Sequence, residues 1–188
     1  MKKVKKEKKC REQLKNLAAY SLSSRDLMRF VGSRANMVTY PEIAKYQTLD
    51  DLLGPYKAAI ILYLTSKNYG HWCLIFREGN VVYFFDSYGL MPDRELKWLK
   101  GNPILSDYPR NPLNRLSKLL KESPYEIDYN NHKLQNSSHD IATCGRHVGM
   151  RLLMRKLDNE QYYRLMKGQK GITSDQIVTY LSHLLSGI

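Results

Sequence analysis

The stretch HWCLIFREGNVVYFFD, residues 71–86, decides the fold. His71–Phe76 and Val81–Asp86 are two short runs of β-branched, aromatic and other apolar residues, and the turn sequence EGN lies close between them. Such runs around a Gly-Asn turn predict a β-hairpin. Because the apolar residues are nearly continuous, we expect both faces of these strands to be covered.

The rest of the chain predicts two more strands between helical ends. Ala58–Leu64 and Tyr125–Tyr129 have the length and composition of strands. In the first half of the chain, the predicted helices are a basic one over 2–20, one capped by Ser23 or Ser24 that runs through Phe30, and one over Leu49–Leu53 that is capped by Thr48 and ended by Gly54-Pro55. In the second half they are a short one around Arg94–Leu99, then Asn114–Lys121, Cys144–Leu157, a segment around Glu160–Met166, and a last one from Ser174-Asp175 through Leu185. This pattern predicts an α+β fold, a small mixed central β-sheet flanked by helices, in a single domain over 1–188 with a basic N-terminal tail or helix over 1–20.

The charge balance points to polyanions. The 188 residues include 30 Lys and Arg against 18 Asp and Glu, a net charge of +12, and residues 1–11 hold seven basic residues and one acidic residue. Such a tail is attracted to nucleic acid, to an anionic membrane or to an acidic partner, or it is a solvated segment that aids solubility. The predicted nucleic-acid-binding residues are Lys2, Lys3, Lys5, Lys6, Lys8 and Lys9.

The apolar segments and the cysteines bear on the compartment in which the protein is expected. There is no apolar run of 18 residues and no apolar stretch of a secretory signal, so we expect neither a membrane span nor secretion. The three cysteines, Cys10, Cys73 and Cys144, are too few and odd in number for a disulfide framework. A reducing compartment follows, in which a thiol stays free.

Cys144 is the candidate nucleophile. It stands where a helix is predicted to begin, and the partial positive charge and free N–H groups of a helix N-terminus favour a thiolate. Gly145 directly after it leaves room for a substrate carbonyl. The alternative is a buried structural cysteine, which is the commoner role of a single Cys.

His71 and Asp86 are the candidate base and its orienting carboxylate. They open and close the two hairpin strands, so both are expected at the same open end, where a carboxylate fixes an imidazole tautomer and stabilises imidazolium. Alternatively, Asp86 only begins a turn. Gln135, nine residues before Cys144, is the candidate side-chain donor to an oxyanion.

Together these residues resemble the adenain-like cysteine proteases, the clan of the adenovirus maturation protease and the SUMO proteases. The resemblance covers residues 58–157 and depends on set and order: His71-Trp72, then Phe84-Phe85-Asp86-Ser87-Tyr88-Gly89, then Gln135, then Cys144-Gly145. The nine-residue spacing from Gln135 to Cys144 is longer than is usual in that clan, so the intervening loop must bulge.

The resemblance implies an adenain-type fold and a cysteine endopeptidase that cuts near small residues such as Gly-Gly, with Trp72 beside a narrow substrate channel. The short chain and basic tail resemble maturation proteases of virophages and polinton-type elements. This likeness implies a viral capsid or core precursor as substrate, in the virion and in the virus factory of the host cytoplasm. The chemistry requires no cofactor, and double-stranded DNA is the implied activator and partner.

Four alternatives remain at this stage. Residues His139, Cys144 and His147 are a candidate metal-ligand set without a second clear ligand pair, so no metal is predicted. The same triad serves SUMO-type or ubiquitin proteases and also acyltransferases. The last alternative is a protein that is not an enzyme, namely a basic virion protein that binds nucleic acid. It leaves the order of His, Asp, Gln and Cys unexplained.

Overall fold

The computed structural model describes residues 12–66, 69–94, 96 and 114–188. The lysine-rich segment 1–11 lies outside these residues, and so does most of the short helix predicted around 94–99. Of the helices within the described ranges, none is both long enough and apolar enough to cross a membrane.

The described residues form strands β1 to β5 and helices α1 to α7. The strands are β1 Asn36–Thr39, β2 Ala58–Ser66, β3 Tyr69–Glu78, β4 Val81–Asp86 and β5 Glu126–Tyr129. The helices are α1 over 12–19, α2 Ser24–Val31, α3 Leu49–Leu53, α4 Arg115–Glu122, α5 Cys144–Leu153, α6 Asn159–Met166 and α7 Ser174–Ser186, with 3₁₀ turns at Tyr40–Lys45 and Gly54–Tyr56.

The five strands form one sheet in the order β1-β2-β3-β4-β5. Its central pairs, β2–β3 and β3–β4, are antiparallel, whereas the outer pairs β1–β2 and β4–β5 are parallel. The predicted hairpin is confirmed: Glu78 pairs with Val81 across the tight turn, and Cys73 pairs with Asp86 at the other end. The predicted fold class, a small mixed sheet flanked by helices, is confirmed as well.

Both faces of the sheet are buried. Leu74 and Phe76 belong to a cluster that contains residues of α2, α5, α6 and α7, while their neighbours Cys73 and Ile75 belong to a second cluster with α3 and α4. Successive side chains of a strand point to opposite faces, so one continuous apolar run supplies both clusters. This confirms the expected coverage of both faces.

Local sequence signals fix where several helices begin. Ser23, rather than Ser24, caps α2: its Oγ accepts from the Asp26 N–H at 3.2 Å, and the Asp26 carboxylate accepts from the Ser23 N–H at 2.9 Å. Thr48 caps α3 in the same reciprocal way, and Gly54 ends that helix at φ 57°. Each such cap stabilises its helix by about 1 kcal/mol.

Two elements differ from the prediction. Strand β1 was not predicted, because four residues at the edge of a sheet carry almost no periodic signal of their own. Helix α5 ends at Leu153 instead of Leu157, because the buried Arg151 guanidinium binds carbonyl groups of the segment that follows, in a non-helical arrangement. It donates to the carbonyl of Met154 at 3.2 Å and to that of Leu157 at 2.8 Å.

The contact between α2 and α5 yields the first prediction. A Cβ at Gly149 would lie 2.3 Å from Cε1 of Phe30, so Gly149→Ala forces the two helices apart. We expect the free energy of unfolding to fall by about 1–3 kcal/mol, as is usual for overpacking. Circular dichroism during urea denaturation measures the change.

The matched control is His183→Ala, because His183 is an exposed helical residue on α7. It should alter the midpoint little. In an exposed helix, Gly→Ala stabilises by about 1 kcal/mol, so a gain in stability for Gly149→Ala would contradict the close approach of α2 and α5.

Candidate active site

His71 and Asp86 lie side by side at the open end of the hairpin, as the sequence predicts. His71 is the third residue of β3 and Asp86 the last of β4, and Nε2 of the imidazole is 2.8 Å from Oδ2 of the carboxylate. The two residues are 5% and 0% exposed, so their interaction is screened very little by water. Since Asp86 engages Nε2, the ring nitrogen left to face a nucleophile is Nδ1.

Further contacts hold Asp86 in place, and the sequence did not indicate them. Cys73 Sγ donates to Oδ2 at 3.2 Å, and the backbone N–H of Tyr88 donates to Oδ1 at 2.5 Å. Asn130 donates to the carbonyl oxygen of Asp86 at 2.6 Å. A buried carboxylate needs such donors, because leaving an acceptor of this kind unpaired is costly.

The ring of Tyr88 supports the imidazole from a second direction. It stacks on His71 with the ring centroids 4.9 Å apart and an interplanar angle of 22°. Within the Asp86-Ser87-Tyr88-Gly89 turn, Gly89 has φ +72°, and a Cβ there would lie 2.8 Å from the carbonyl carbon of His132. The turn therefore requires glycine at this position, which explains the Gly in the Asp-Ser-Tyr-Gly motif.

Cys144 is the first residue of α5, and its thiol is hydrogen-bonded to His71. The backbone N–H groups of Trp72 and Gly145 also point at the sulfur. Burial raises the pKa of the Cys144 thiol, but these partners, above all His71, outweigh it and lower the pKa below its ordinary value.

His71 responds in the opposite direction. Burial lowers the pKa of His71, whereas the Asp86 carboxylate and the Cys144 sulfur raise it, and the net result is a pKa raised to about 10. The raised pKa of His71 therefore contributes stability that is fully present below about pH 6.5, the ordinary pKa of histidine, and that is lost as the pH rises through about 10.

Gln135 shares a cavity with these groups. It is 2% exposed, its N–H donates to the Ser87 carbonyl at 2.9 Å, and its Oε1 accepts from Ser87 Oγ at 2.7 Å. With Oε1 so engaged, the amide Nε2 is the atom left to donate. The cavity has a volume of about 700 Å³, and its lining includes His71, Tyr88, Lys133, Gln135, His139 and Cys144.

The nine-residue spacing is accommodated by a surface loop. Residues 136–140 are exposed, and the chain returns to the interior at Thr143 to begin α5. The predicted bulge is therefore present, and it allows Gln135 and Cys144 to line one cavity. The oxyanion role of Gln135 stays a prediction.

Helix α5 is held by a buried arginine in its first turn. Arg146 donates to Ser182 Oγ and to the Ile188 carbonyl, both at 2.8 Å, and to the Leu17 carbonyl at 3.1 Å. These bonds tie α5 to α7 and to α1. Burial lowers the pKa of Arg146, and its two terminal nitrogens donate to one hydroxyl and two carbonyl oxygens, as a buried guanidinium requires.

Trp72 and Gly145 pack against each other. Trp72 is 3% exposed and donates from Nε1 to the Leu22 carbonyl at 3.1 Å, while a Cβ at Gly145 would lie 3.3 Å from Cδ1 of Trp72 and 3.1 Å from Cβ of Leu22. Gly145 thus has a packing reason to be glycine. Contact of either residue with substrate stays a prediction.

A second cavity, of about 360 Å³, adjoins the first. The two share Tyr69 and Gly70 in their linings, so they meet over the start of β3. The apolar residues of the second lining are Leu22, Leu62, Leu64 and Trp72.

The predicted alternative of a metal site has little geometric support. His139 is on the exposed loop, whereas His147 is buried with Nε2 3.4 Å from Asp175. Within the described ranges, the ligand-type cluster that does form is His71, Cys73 and Asp86. Its nitrogen and oxygen are 2.8 Å apart, closer than the roughly 3.3 Å expected between two ligands of a tetrahedral zinc ion.

Fold and site together define a mixed α+β protein in which a buried Cys–His–Asp arrangement opens into a cavity. No protein-family model matches the chain. The chain is 38% identical to the uncharacterized protein V9 of Sputnik virophage over 177 residues, which cover 91% of this chain and 99% of that protein. It therefore belongs to the family of this virophage protein.

Two solved structures show weaker likeness. One is the central domain of uncharacterized Lpg1148 from Legionella pneumophila, with TM-score 0.37 and 14% identity over 87% of this chain and 89% of that chain. The other is the C-terminal Ulp1 protease domain in complex with Smt3, the yeast ortholog of SUMO, with TM-score 0.39 and 16% identity over 93% and 80%. At these scores, the likeness carries no argument about fold or chemistry.

The lowered pKa of Cys144 gives a prediction that needs no substrate. The rate at which iodoacetamide alkylates Cys144 should fall less from pH 8 to pH 6 than that of an ordinary thiol, which is only about one part in 300 ionised at pH 6. His71→Ala should restore an ordinary profile with a midpoint near ~8.5. Mass spectrometry of tryptic peptides measures the rate at each cysteine.

Cys73 is the internal control, because it is fully buried and should stay unmodified until the protein is denatured. An ordinary thiol profile for Cys144 in the unaltered protein would contradict the thiolate–imidazolium pair.

Proposed function

We propose that this protein is a cysteine endopeptidase with Cys144 as nucleophile, His71 as base and acid, Asp86 as orienting carboxylate and Gln135 as oxyanion donor. One observation carries the proposal: the Cys144 thiol is hydrogen-bonded to the His71 imidazole, whose Nε2 is 2.8 Å from Oδ2 of Asp86. Cys144 and His71 both line the cavity. A nucleophile, a base and a group that orients the base are the parts that thiol catalysis needs.

In the resting state, the proton lies on His71 and the negative charge on Cys144. The raised pKa of His71 and the lowered pKa of Cys144 both favour this ion pair near neutral pH. The thiolate attacks the carbonyl carbon of the scissile peptide bond and forms a carbon–sulfur bond, while the carbonyl electrons move onto oxygen. Gln135 Nε2 and the Cys144 N–H donate to this oxyanion.

Collapse of the tetrahedral intermediate breaks the carbon–nitrogen bond. His71 gives its proton from Nδ1 to the leaving amine and becomes neutral, which leaves a thioester on Cys144. Neutral His71 then takes a proton from water, whose oxygen attacks the thioester and releases the carboxylic acid and the thiolate. General acid–base assistance of this kind contributes about 10²–10⁴-fold.

The substrate we propose is an extended peptide segment with small residues, such as Gly-Gly, before the scissile bond. The two adjoining cavities meet over Tyr69 and Gly70, so an extended chain that occupies both would cross the start of β3. Trp72 lines the second cavity and is the proposed contact for that part of the peptide.

We propose that the biological substrate is a capsid or core precursor of the virion, processed in the virus factory and the particle. Membership in a virophage protein family supports this assignment. Incubating purified precursor proteins with the protein and with Cys144→Ala, then mapping new N-termini by mass spectrometry, tests it. N-termini that follow Gly-Gly and depend on Cys144 are expected, and identical maps for both proteins would overturn it.

The roles of His71 and Asp86 are separable by substitution. On a peptide ending in Gly-Gly-aminomethylcoumarin, His71→Ala should lower kcat by about 10²–10⁴-fold, because both thiolate formation and amine protonation are lost. Asp86→Asn should lose less, since Asp86 orients the imidazole and does not itself react. Fluorescence release measures kcat and KM.

His139→Ala is the matched control, because His139 also lines the cavity but is exposed. Its kcat should stay within about threefold of that of the unaltered protein, and EDTA should not reduce activity. Retained activity in His71→Ala would contradict the assignment, and loss of activity with EDTA would favour a metal site.

We further propose that the six lysines of segment 2–9 bind double-stranded DNA, as the net charge of +12 suggests. Binding through Lys–phosphate contacts should weaken steeply with salt, with a slope in log K of about −0.9 for each phosphate contacted. Deleting residues 1–11 should reduce that slope, as measured by fluorescence anisotropy between about 50 and 200 mM salt. An unchanged slope would remove the segment from DNA binding.

A further inference from the structure

Asp175 is a buried carboxylate that none of the proposed catalytic steps uses. It is the second residue of α7 and is 2% exposed. Oδ2 accepts from the backbone N–H of Asn136 at 2.9 Å, and Oδ1 accepts from Thr143 Oγ1 at 2.5 Å. His147 Nε2 lies 3.4 Å from the same Oδ1.

These contacts fall at the two ends of one loop. Asn136 directly follows Gln135, and Thr143 directly precedes Cys144. Asp175 therefore binds the residue next to each of the two proposed oxyanion donors. Most of the loop between these ends, residues 136–140, is exposed and has no buried side chain to hold it.

The Thr143 hydroxyl binds Asp175 instead of capping helix α5. Thr143 occupies the N-cap position of α5, where a threonine oxygen normally accepts from the helix, yet it makes no such capping bond. Its hydroxyl donates to Asp175 instead. As a result, the first N–H groups of α5 are not covered by the cap side chain, at the helix end where Cys144 lies.

The electrostatics favour an ionised carboxylate at this position. Burial raises the pKa of Asp175, but His147, Thr143 and the Asn136 N–H outweigh it and hold the pKa below its ordinary range. The start of α7 adds partial positive charge at the same place. His147 is fully buried, and its Nε2 lies 3.4 Å from Oδ1, so the Asp175 carboxylate is the polar group that this imidazole faces.

We propose that Asp175 is a positioning residue that clamps the 136–143 loop, so that the Gln135 amide and the Cys144 N–H face one substrate oxygen. The inference rests on the proposed peptidase function and extends it to α7. Gln135 is already fixed on its other side by Ser87, and Cys144 by the rest of α5. The contacts of Asp175 then set the distance between Gln135 and Cys144.

The test separates oxyanion geometry from thiol reactivity. Asp175→Asn keeps the size of the side chain but removes the charge, and it sets an N–H₂ group against donors. Thr143→Val removes one contact, and Thr143→Ser restores the hydroxyl. Turnover of a peptide ending in Gly-Gly-aminomethylcoumarin gives kcat and KM. Alkylation of Cys144 by iodoacetamide, a displacement at carbon that forms no tetrahedral intermediate, reports the thiolate alone.

We expect Asp175→Asn and Thr143→Val to lower kcat by about 10–100-fold, somewhat less than the loss of a whole oxyanion donor. KM should change by less than about threefold, and the alkylation profile of Cys144 with pH should stay that of the unaltered protein. Thr143→Ser should recover most of the kcat. Asp158→Asn is the matched control, because Asp158 is an acidic residue at the start of α6, and it should have normal kcat.

Each other outcome has a distinct meaning. Normal kcat in Asp175→Asn, or equal losses in Thr143→Val and Thr143→Ser, would overturn the clamp alone. A parallel loss of kcat and of Cys144 reactivity would also overturn it, because Asp175 would then support the thiol–imidazole pair or the fold. If the unaltered protein neither cleaves the peptide nor shows a reactive Cys144, the peptidase function fails and the clamp with it. If Asp175→Asn does not fold, the comparison of kcat between Thr143→Val and Thr143→Ser decides whether the clamp exists.

Discussion

The register of the β3–β4 hairpin is the constraint on which the rest of the site depends. Glu78 opposite Val81 at the turn fixes Cys73 opposite Asp86 at the other end, and this places His71 within 2.8 Å of the carboxylate. A slip of one residue between the two strands would exchange the faces of one of them. It would point His71 and Asp86 to opposite faces of the sheet and send the side chains of that strand into the wrong cores. The same hydrophobic pattern that stabilises the sheet therefore also enforces the geometry of the site.

Burial of charge is tolerable here because every charged group has close partners. Asp86 receives donors from His71, Cys73 and Tyr88, and the Cys144 sulfur receives them from His71 and two backbone N–H groups. In so dry a site, an unpaired ion would cost several kcal/mol. The low dielectric that makes such a loss severe also strengthens the attraction of the His71 imidazole for the Asp86 carboxylate and for the Cys144 sulfur, which explains the raised pKa of His71 and the lowered pKa of Cys144.

The sequence could predict what is encoded locally. The hairpin, the Ser23 and Thr48 caps and the helix start at Cys144 each have a signal within a few residues, and the hairpin alone brings His71 and Asp86 together. Contacts between distant segments leave no such signal. Strand β1 pairs with β2 across more than twenty residues, and Asp175 reaches Thr143 across 32, so neither could be recognised from spacing. The early end of α5 likewise depends on Arg151 finding carbonyl partners inside the core.

Cys144 is only 6% exposed and is reached through a cavity of about 700 Å³. In the peptidase that we propose, a folded domain would be too wide to approach this sulfur, whereas an extended chain could enter the cavity. The susceptible bonds of a proposed precursor would then be those in its linkers, and cleavage would follow the moment at which assembly leaves a linker stretched and accessible. Selectivity of this kind would lie partly in the conformation of the substrate, so that a small enzyme would spare the folded proteins around it.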